Sequence, residues 1–254
     1  MVDRWGLFRY GSLRMRTEKK MSYWLDLGTM AYAPSFAIQE QILQARMNDQ
    51  FPNTIILQEN RPVFTVGRSG SRANILLSDE ELVRHGIEVL DVDRGGDVTY
   101  HGPGQLIVSP VFYLGDIGLN ANQYLHTLED VLVDLLSWYG IHTGKKEGYP
   151  GVWWQDAKIG AVGIAVKHGF TFHGFSLNAN LDLSPFKMIN PCGVSCMPVT
   201  SIKQMLGREL PMSDIKAQLR VIMEQRFNLN AREVSLSDFL SCLKTWKHRL
   251  NATS

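Results

Sequence analysis

The spacing of hydrophobic positions changes several times along this chain, and each change predicts a different element of secondary structure. A short run of mostly aromatic and apolar residues predicts a strand over 22–27, whereas a period of about 3.6 residues predicts a helix over 32–47. Two short apolar runs predict strands over 54–57 and 63–66, and Pro62 separates them because proline cannot donate a hydrogen bond within a sheet. The first quarter of the chain therefore mixes strands with a helix.

The remaining periodic segments complete the prediction of an α+β fold. Leucines and valines that share one face predict a helix over 122–139. Apolar runs over 158–166 and 170–178, with Lys-His-Gly between them, predict a β-hairpin, and helical patterns over 215–227 and 236–250 end the chain. Because short turns join the strands, we expect a central mixed or antiparallel sheet flanked by helices on one side, with a short helical C-terminal part.

Bulk composition narrows the class of protein without indicating its chemistry. At 254 residues, 44% hydrophobic and 20% charged, the chain has material for one large domain, or one domain with a small appendage. A net charge of +1 does not suggest a nucleic-acid surface or a polybasic membrane contact, and no apolar run approaches the roughly 20 residues of a membrane helix. Three cysteines, an odd number, suit a reducing compartment in which a thiol stays free.

The first twenty residues are basic and poor in acidic side chains. They lack the apolar core of a secretory signal, so we predict a poorly ordered extension over 1–20 and a cytoplasmic protein. A basic leader also fits an organelle transit peptide, although Ser12 is its only serine. We expect the main domain over 21–202 and a helical part over 203–254 packed on the same domain.

Residues 94–106, Arg-Gly-Gly-Asp-Val-Thr-Tyr-His-Gly-Pro-Gly-Gln-Leu, form the most unusual segment of the chain. Its glycines lie between strand-like runs over 87–92 and 106–112, and glycine suits places where the backbone turns sharply or approaches a ligand closely. We therefore predict a binding loop, in which Arg94 binds an anion and His101 orients a carbonyl group or moves a proton. The glycine patterns of nucleotide-phosphate loops are absent.

Cys192 is the candidate nucleophile, because Pro191 and Gly193 favour a tight turn over the interior of a strand or helix. An inert, buried free cysteine is the alternative, and local sequence leaves both open. Cys192 and Cys196 also have the spacing of half a zinc site, but no second short-spaced pair of ligands accompanies them, so no metal is expected. Cys242 lies among apolar residues of a predicted helix and is expected to be inert.

Lys158 precedes a strand of small and apolar residues, where partial desolvation would lower its pKa. A lysine in solvent at the end of a strand is the alternative. Near a cysteine, a lysine ammonium favours the thiolate, and a neutral lysine amine accepts the thiol proton. The small residues of the two neighbouring strands are Gly160, Ala161, Gly163, Gly174 and Ser176. They either leave room for a slim alkyl chain or allow close strand packing, and the sequence does not separate these interpretations.

Three parts of the chain together closely resemble the lipoyl (octanoyl) transferase family: 94–106, then 156–164 (Asp-Ala-Lys-Ile-Gly-Ala-Val-Gly-Ile) followed by 170–183, and 189–194 (Ile-Asn-Pro-Cys-Gly-Val). The resemblance extends over about 21–202, in the family's order and spacing. It implies that Cys192 is the nucleophile and that Lys158 lowers the pKa of its thiol. The substrate-contacting residues that it implies are Arg94, Gly95, Gly96, Asp97, Val98, Thr99, Tyr100 and His101, then Ala161, Val162 and Gly163, and then Gly174, Phe175 and Ser176.

The resemblance also implies a reaction and a fold. Members of this family move an octanoyl group from the phosphopantetheine thioester of acyl carrier protein, through a cysteine thioester on the enzyme, to a lysine. That lysine belongs to lipoyl domains of 2-oxoacid dehydrogenase E2 subunits or to the glycine cleavage H protein. The family uses neither ATP nor metal, so no cofactor is expected, and we expect neither nucleic acid nor membrane as a partner. The implied fold is that of biotin/lipoate protein ligases, with the catalytic acyltransferase domain over 21–202.

Three rival functions stay open on the sequence. An ATP-dependent lipoate or biotin ligase has the same fold and uses the equivalent lysine, but it needs no cysteine. A thiol hydrolase would pair Cys192 with His173, and an inactive module would only bind the acyl carrier. The cysteine and the His-Gly-Pro-Gly-Gln run favour the transferase.

Overall fold

The computed structural model describes residues 18–48, 51–190 and 197–251. Within these ranges ten strands form two sheets. The strands are β1 (Lys20–Met30), β2 (Asn53–Asn60), β3 (Val63–Val66), β4 (Glu88–Asp91), β5 (Val98–His101), β6 (Gln105–Val111), β7 (Gly151–Trp154), β8 (Ala157–Lys167), β9 (Phe170–Asn178) and β10 (Leu229–Val234).

The larger sheet has seven strands in the order β10–β1–β2–β6–β9–β8–β7. Strand β1 runs parallel to both β10 and β2, and the other neighbouring pairs are antiparallel. The smaller sheet has the order β4–β3–β5, with β3 parallel to β4 and antiparallel to β5. The prediction of a mixed sheet is confirmed, and the small second sheet adds to it.

Helices cover both faces of the larger sheet. In the described ranges they are α1 (Tyr32–Met47), α2 (Asp79–His85), α3 (Leu114–Ile117), α4 (Ala121–Trp138), α5 (Ile202–Leu206), α6 (Met212–Arg226) and α7 (Leu236–Asn251). Successive residues of β2 show the two-sided packing: Ile55 and Leu57 pack in the core under α4 and α6, whereas Ile56 packs with α1 and α7. The expectation of helices on one side only was wrong. No helix in the described part of the chain is both long and apolar enough to cross a membrane.

The sequence pattern does not predict three of the strands. Strand β5 lies inside the glycine-rich segment, so that part of the predicted loop is a strand paired with β3. Strand β7 has only four residues. Strand β10 belongs to the C-terminal part, which therefore also completes the main sheet beside β1. Leu229 and Ala231 are its buried apolar residues, whereas Asn230, Arg232 and Glu233 are polar or charged, and apolar character returns only at the last residue, Val234.

Candidate functional site

A cavity of about 410 Å³ lies between the glycine-rich segment, the first turns of α1, and strands β8 and β9. Its wall contains most of the residues that the sequence singled out: Arg94, Gly95, Gly96, Asp97, Val98, Thr99 and His101; Lys158; Ala161, Val162 and Gly163; Gly174, Phe175 and Ser176. Cys192 lies outside the described residues. Within those residues, no three His, Cys, Asp or Glu side chains cluster as the ligands of a metal would.

Tyr100 is the exception among the described residues that were predicted to contact substrate. Because side chains alternate along β5, Thr99 and His101 line the cavity and Tyr100 does not. The Tyr100 ring packs against Phe64 and Phe186, with ring centroids 5.6 and 5.9 Å apart, in the core of the smaller sheet. Tyr100 therefore supports the cavity wall from behind.

The first turns of α1 close the cavity, which the sequence analysis missed. The helix contributes Tyr32, Ser35, Phe36 and Gln39 to the wall. Ser35 Oγ accepts a hydrogen bond from Gln58 Nε2 at 2.9 Å, and Gln39 Oε1 accepts one from the backbone N–H of His173 at 2.6 Å. A polar pair four residues apart on the buried side of a helix is the signal that indicates this site.

Arg94 braces the glycine-rich segment. Its Nε and Nη2 donate to Thr65 Oγ1 at 3.3 and 2.9 Å, and Nη2 also donates to the carbonyl oxygens of Thr65 and Asp97, both at 2.8 Å. These bonds hold the segment against β3, while the Gly95 N–H donates to the carbonyl of Ile164 on β8 at 3.4 Å. Arg94 thus shapes the loop as well as bringing positive charge to the cavity. Its predicted contact with an anion stays a prediction.

Asp97 links the glycine-rich segment to the residues that precede Cys192. Its carboxylate is buried and accepts hydrogen bonds from the Ser71 N–H at 3.2 Å and from Asn74 Nδ2 at 2.6 Å. The carbonyl of Asn74 in turn accepts a hydrogen bond from the Asn190 N–H at 2.8 Å. The described chain before Cys192 is therefore fixed to the cavity wall through Asp97.

The backbone of Lys158 pairs with residues 198–200, which follow Cys192 in the chain. Its N–H donates to the carbonyl of Pro198 at 2.8 Å, and its own carbonyl accepts from the Thr200 N–H at 3.0 Å. The Lys158 Nζ lies 5.0 Å from the centroid of the Trp153 ring, whose electron-rich face attracts a cation. The alternative of a lysine in open solvent is excluded, because Lys158 is partly buried and lines the cavity.

A chain of amide hydrogen bonds fixes the orientation of His101. Asn178 Nδ2 donates to the carbonyl of Thr200 at 3.0 Å, and Gln105 Nε2 donates to Asn178 Oδ1 at 2.9 Å. Gln105 Oε1 therefore accepts, and His101 Nδ1 donates to it at 2.7 Å. Burial, and then the nearby charge of Arg94, lowers the pKa of His101 to about 4. The imidazole is neutral at pH 7, with Nε2 as its acceptor nitrogen.

His173 is a second neutral imidazole in the same wall. Burial, followed by the charge of Arg94, lowers its pKa to about 4. Its ring stacks on Phe36 with centroids 5.2 Å apart, Phe36 stacks on Tyr32 at 6.0 Å, and Tyr32 stacks on His101 at 6.3 Å. The two histidines thus stand at opposite ends of one row of four rings.

The low pKa values of the two histidines predict a loss of stability in acid. In the unfolded chain each titrates near 6.5, whereas in the folded chain each titrates near 4. Between these pH values the unfolded state binds more protons, so the free energy of unfolding falls as pH decreases from 6.5 to 4, by up to about 3 kcal/mol per histidine. Urea unfolding at a series of pH values measures this loss. The double variant His101→Asn/His173→Asn should show a shallower slope than the unmodified protein, and identical slopes would contradict the prediction.

Both interpretations of the small residues apply, but at different positions. A Cβ atom at Gly174 would lie 2.2 Å from the carbonyl oxygen of Val108 and 2.8 Å from Pro110 Cδ, so this glycine is needed for close packing of β9 on β6. A Cβ atom at Gly163 would meet Gly95 O at 3.3 Å, a contact that a small movement relieves. Gly163 therefore borders open cavity space more than Gly174 does.

This difference predicts unequal costs for two alanine substitutions. Gly174→Ala should lower the free energy of unfolding by about 3 kcal/mol, because the methyl group forces two strands apart. Gly163→Ala, on the neighbouring strand, should lower it by less than about 1 kcal/mol, since its contact can relax. Urea denaturation of both variants measures the difference, and a loss at Gly174 no larger than that at Gly163 would contradict the prediction.

Comparisons with known proteins agree with the family that the motifs resemble. A family model described as the lipoyl protein ligase A/B catalytic domain matches residues 31–223. The octanoyltransferase of Geobacter metallireducens is 39% identical over 191 residues, which cover 75% of this chain and 86% of that protein. The octanoyltransferase of Desulfotalea psychrophila is 35% identical over 227 residues, which cover 88% of this chain and 100% of that protein.

Solved structures with the same fold are more distant in sequence. Lipoate-protein ligase A bound with ATP has a TM-score of 0.72 and 15% identity, with 88% of this chain and 92% of that chain covered. At that identity the likeness shows the fold alone, whereas the relatives with 35–39% identity are named for octanoyl transfer. The chain therefore belongs to the lipoyl protein ligase A/B catalytic-domain family and, within it, is an acyltransferase of the octanoyltransferase group.

Proposed function

We propose that this acyltransferase moves an octanoyl group from acyl carrier protein to a lysine of lipoyl domains, through a thioester on Cys192. The observation that carries the proposal is the backbone pairing of Lys158 with 198–200 in the cavity wall. On the other side of the cysteine, Asn190 is hydrogen-bonded to Asn74. Both described ends of the cysteine segment are thus attached to residues around the cavity, which supports an encounter between the Cys192 thiol and the Lys158 amine.

In the first half of the proposed reaction, the Cys192 thiolate attacks the carbonyl carbon of the incoming thioester. A C–S bond to Cys192 forms, the C–S bond to the phosphopantetheine sulfur breaks, and the released thiolate takes a proton from the Lys158 ammonium, which leaves Lys158 neutral. One thioester replaces another, so the free energy changes little. A Lys158 ammonium beside the thiol would favour the thiolate, and the contact with the Trp153 ring favours the charged lysine.

In the second half, the amine of the target lysine attacks the carbonyl carbon of the acyl-enzyme. The C–N bond forms, the C–S bond to Cys192 breaks, and the thiolate is regenerated. The attacking nitrogen loses a proton, which a neutral Lys158 accepts as general base. Because an amide is more stable than a thioester, this step drives the reaction forward.

The proposal includes the partners, the absence of a cofactor and the location. We propose acyl carrier protein as donor, and lipoyl domains of 2-oxoacid dehydrogenase E2 subunits and the glycine cleavage H protein as acceptors. A thioester brings the acyl group in activated form, so the proposed reaction uses neither ATP nor metal. The rival ligase reaction would instead consume ATP to activate a free acid. The proposed location is the cytoplasm.

Mass spectrometry after incubation with octanoyl acyl carrier protein, without ATP, tests this function. We expect a single octanoyl adduct, which peptide mapping assigns to Cys192, and its transfer to a lysine when a lipoyl domain is added. Acyl carrier protein without an octanoyl group is the control. Transfer that requires ATP and free octanoate, with no adduct on the enzyme, would favour the ligase.

A further inference from the structure

We propose that the imidazoles of His101 and His173 form a pair of hydrogen-bond acceptors for N–H groups of the substrates. The inference rests on the function proposed above and assigns a binding role to both rings. Both residues line the same cavity, and each is only 7% exposed. In each imidazole one nitrogen donates a hydrogen bond, and the other, acceptor nitrogen determines which chemical groups this wall of the cavity can bind.

His173 has a buried nitrogen that the protein does not satisfy. Its Nε2 is buried and has no hydrogen-bond partner within residues 18–48, 51–190 and 197–251. The backbone of Asp93 acts to raise the pKa of His173, which a carbonyl oxygen does by facing a ring N–H; because Nε2 has no partner, we assign that N–H to Nδ1. Nε2 is then an acceptor. A buried polar atom without a partner is costly, and His173 lines the cavity, from which a substrate N–H would supply the missing partner.

The backbone at His173 is also strained. Its φ is +56° within strand β9, in the left-handed region that residues with side chains rarely adopt. The Gln39 side chain accepts the His173 N–H at 2.6 Å and so ties this conformation to α1. Backbone strain of this kind concentrates at binding and catalytic sites. A strained backbone and an unsatisfied nitrogen in one cavity residue both indicate a role in binding.

His101 also has an acceptor Nε2, which follows from a different set of hydrogen bonds. Gln105 Nε2 donates to Asn178, so Gln105 Oε1 must accept from His101 Nδ1, and the lone pair of His101 is at Nε2. A neutral imidazole with Nδ1 already donating cannot donate to a carbonyl oxygen. The expectation that His101 orients a carbonyl group therefore gives way to one in which it accepts from an N–H.

The row of four stacked rings separates the His101 and His173 imidazoles along one wall of the cavity. Tyr32 and Phe36 lie between His101 and His173, with neighbouring ring centroids 5.2–6.3 Å apart. A ligand that uses both acceptors must therefore be extended and carry N–H groups at separate points. The two amides of a phosphopantetheine arm meet this description, and the amine of the target lysine offers the same N–H chemistry at one point. With pKa values of about 4 the imidazoles are neutral at pH 7: each keeps its Nδ1 proton and accepts a hydrogen bond at Nε2, and Lys158 keeps the role of base.

Asparagine and glutamine substitutions separate the two ring nitrogens. In His173→Asn the amide replaces Nδ1 and the Nε2 acceptor is lost, and asparagine tolerates the left-handed backbone. In His173→Gln the amide reaches the position of Nε2 and can accept. The matched control is His168→Asn, the same substitution at another left-handed residue (φ +50°), which is exposed and lies in the β8–β9 turn.

We expect His173→Asn to lower kcat/KM roughly tenfold in the half-reaction whose N–H it binds, as loss of one hydrogen bond predicts. His173→Gln should recover part of the loss, and His168→Asn should match the unmodified protein. His101→Asn, which keeps its donor to Gln105, should give a loss similar to that of His173→Asn. A purely structural role for His173 would instead lower the free energy of unfolding without rescue by glutamine.

The two half-reactions identify which N–H is bound. Acyl-enzyme formation is followed by mass spectrometry with octanoyl-pantetheine and with S-ethyl thiooctanoate, which has no amide. If the donor arm is bound, His173→Asn slows acylation by octanoyl-pantetheine but not by the ethyl thioester. If the lysine amine is bound, acylation is unchanged and transfer to a lipoyl domain is slower. Equal rates for His173→Asn and the unmodified protein in both halves would overturn the acceptor pair alone. Failure of the unmodified protein to form any acyl-enzyme would overturn the proposed function as well.

Discussion

Replacement of Cys192 by serine is expected to abolish octanoyl transfer, lowering kcat/KM by at least about a thousandfold. A nearby ammonium brings the pKa of a thiol close to neutral pH, but it leaves a hydroxyl un-ionised and a poor nucleophile. Exchange of sulfur for oxygen changes the side-chain volume little, so we expect the fold to survive. The rate of transfer to a lipoyl domain and the mass of the enzyme after exposure to octanoyl acyl carrier protein measure the effect.

Cys196→Ser is the matched control, because it is the same substitution in the same short segment. This variant should keep both the adduct and the transfer rate. Cys242→Ser, on the exposed side of α7, should do the same. Octanoyl transfer that persists in Cys192→Ser would exclude a thioester on this residue and would favour direct attack by the lysine on an activated acid.

Local patterns predicted those elements whose stability is set by their own sequence. The predicted helix over 32–47 has the bounds of α1, and the hairpin of β8 and β9 was predicted from two apolar runs around Lys-His-Gly. The turn needs left-handed backbone at His168 (φ +50°) and Gly169 (φ +83°), which glycine in particular supplies. Strand β10 was missed because its polar sequence becomes a strand only by pairing with β1, a contact between the two ends of the chain.

The residues of the site likewise fall into those that local sequence identified and those that only long-range packing brings to the cavity. Glycine density identified the segment that begins at Arg94, and small residues identified β8 and β9. Gln39 was missed, and His173 was named only as the partner of Cys192 in a rival function, because their places in the cavity depend on α1 packing across the sheet, which no local period records. Tyr100 was assigned to the substrate by membership of a motif, although strand alternation turns its side chain into the core of the smaller sheet.

Lys158→Ala is expected to lower the rate of octanoyl transfer by about a hundredfold to ten-thousandfold, the usual effect of removing a general acid or base. Without the ammonium the Cys192 thiol should also ionise at higher pH, because no nearby positive charge then favours the thiolate. The rate of alkylation of Cys192 by iodoacetamide between pH 5 and 10 measures this shift directly. The midpoint should move toward about 8.5, the value of an ordinary thiol.

Lys146→Ala separates this effect from a general loss of positive charge. Lys146 Nζ lies 4.6 Å from the centroid of the same Trp153 ring, but it pairs with the exposed Asp156 at 2.8 Å and lies outside the cavity wall. Its removal deletes the same charge from the other lysine on this indole, so it should leave both the transfer rate and the alkylation midpoint unchanged. If Lys146→Ala and Lys158→Ala changed the transfer rate and the alkylation midpoint equally, loss of one positive charge near the Trp153 ring would explain both effects. Lys158 would then have no specific role. A midpoint that moves only in Lys158→Ala would instead require the Lys158 amine to lie beside the thiol, which is the contact on which the acyl-enzyme mechanism depends.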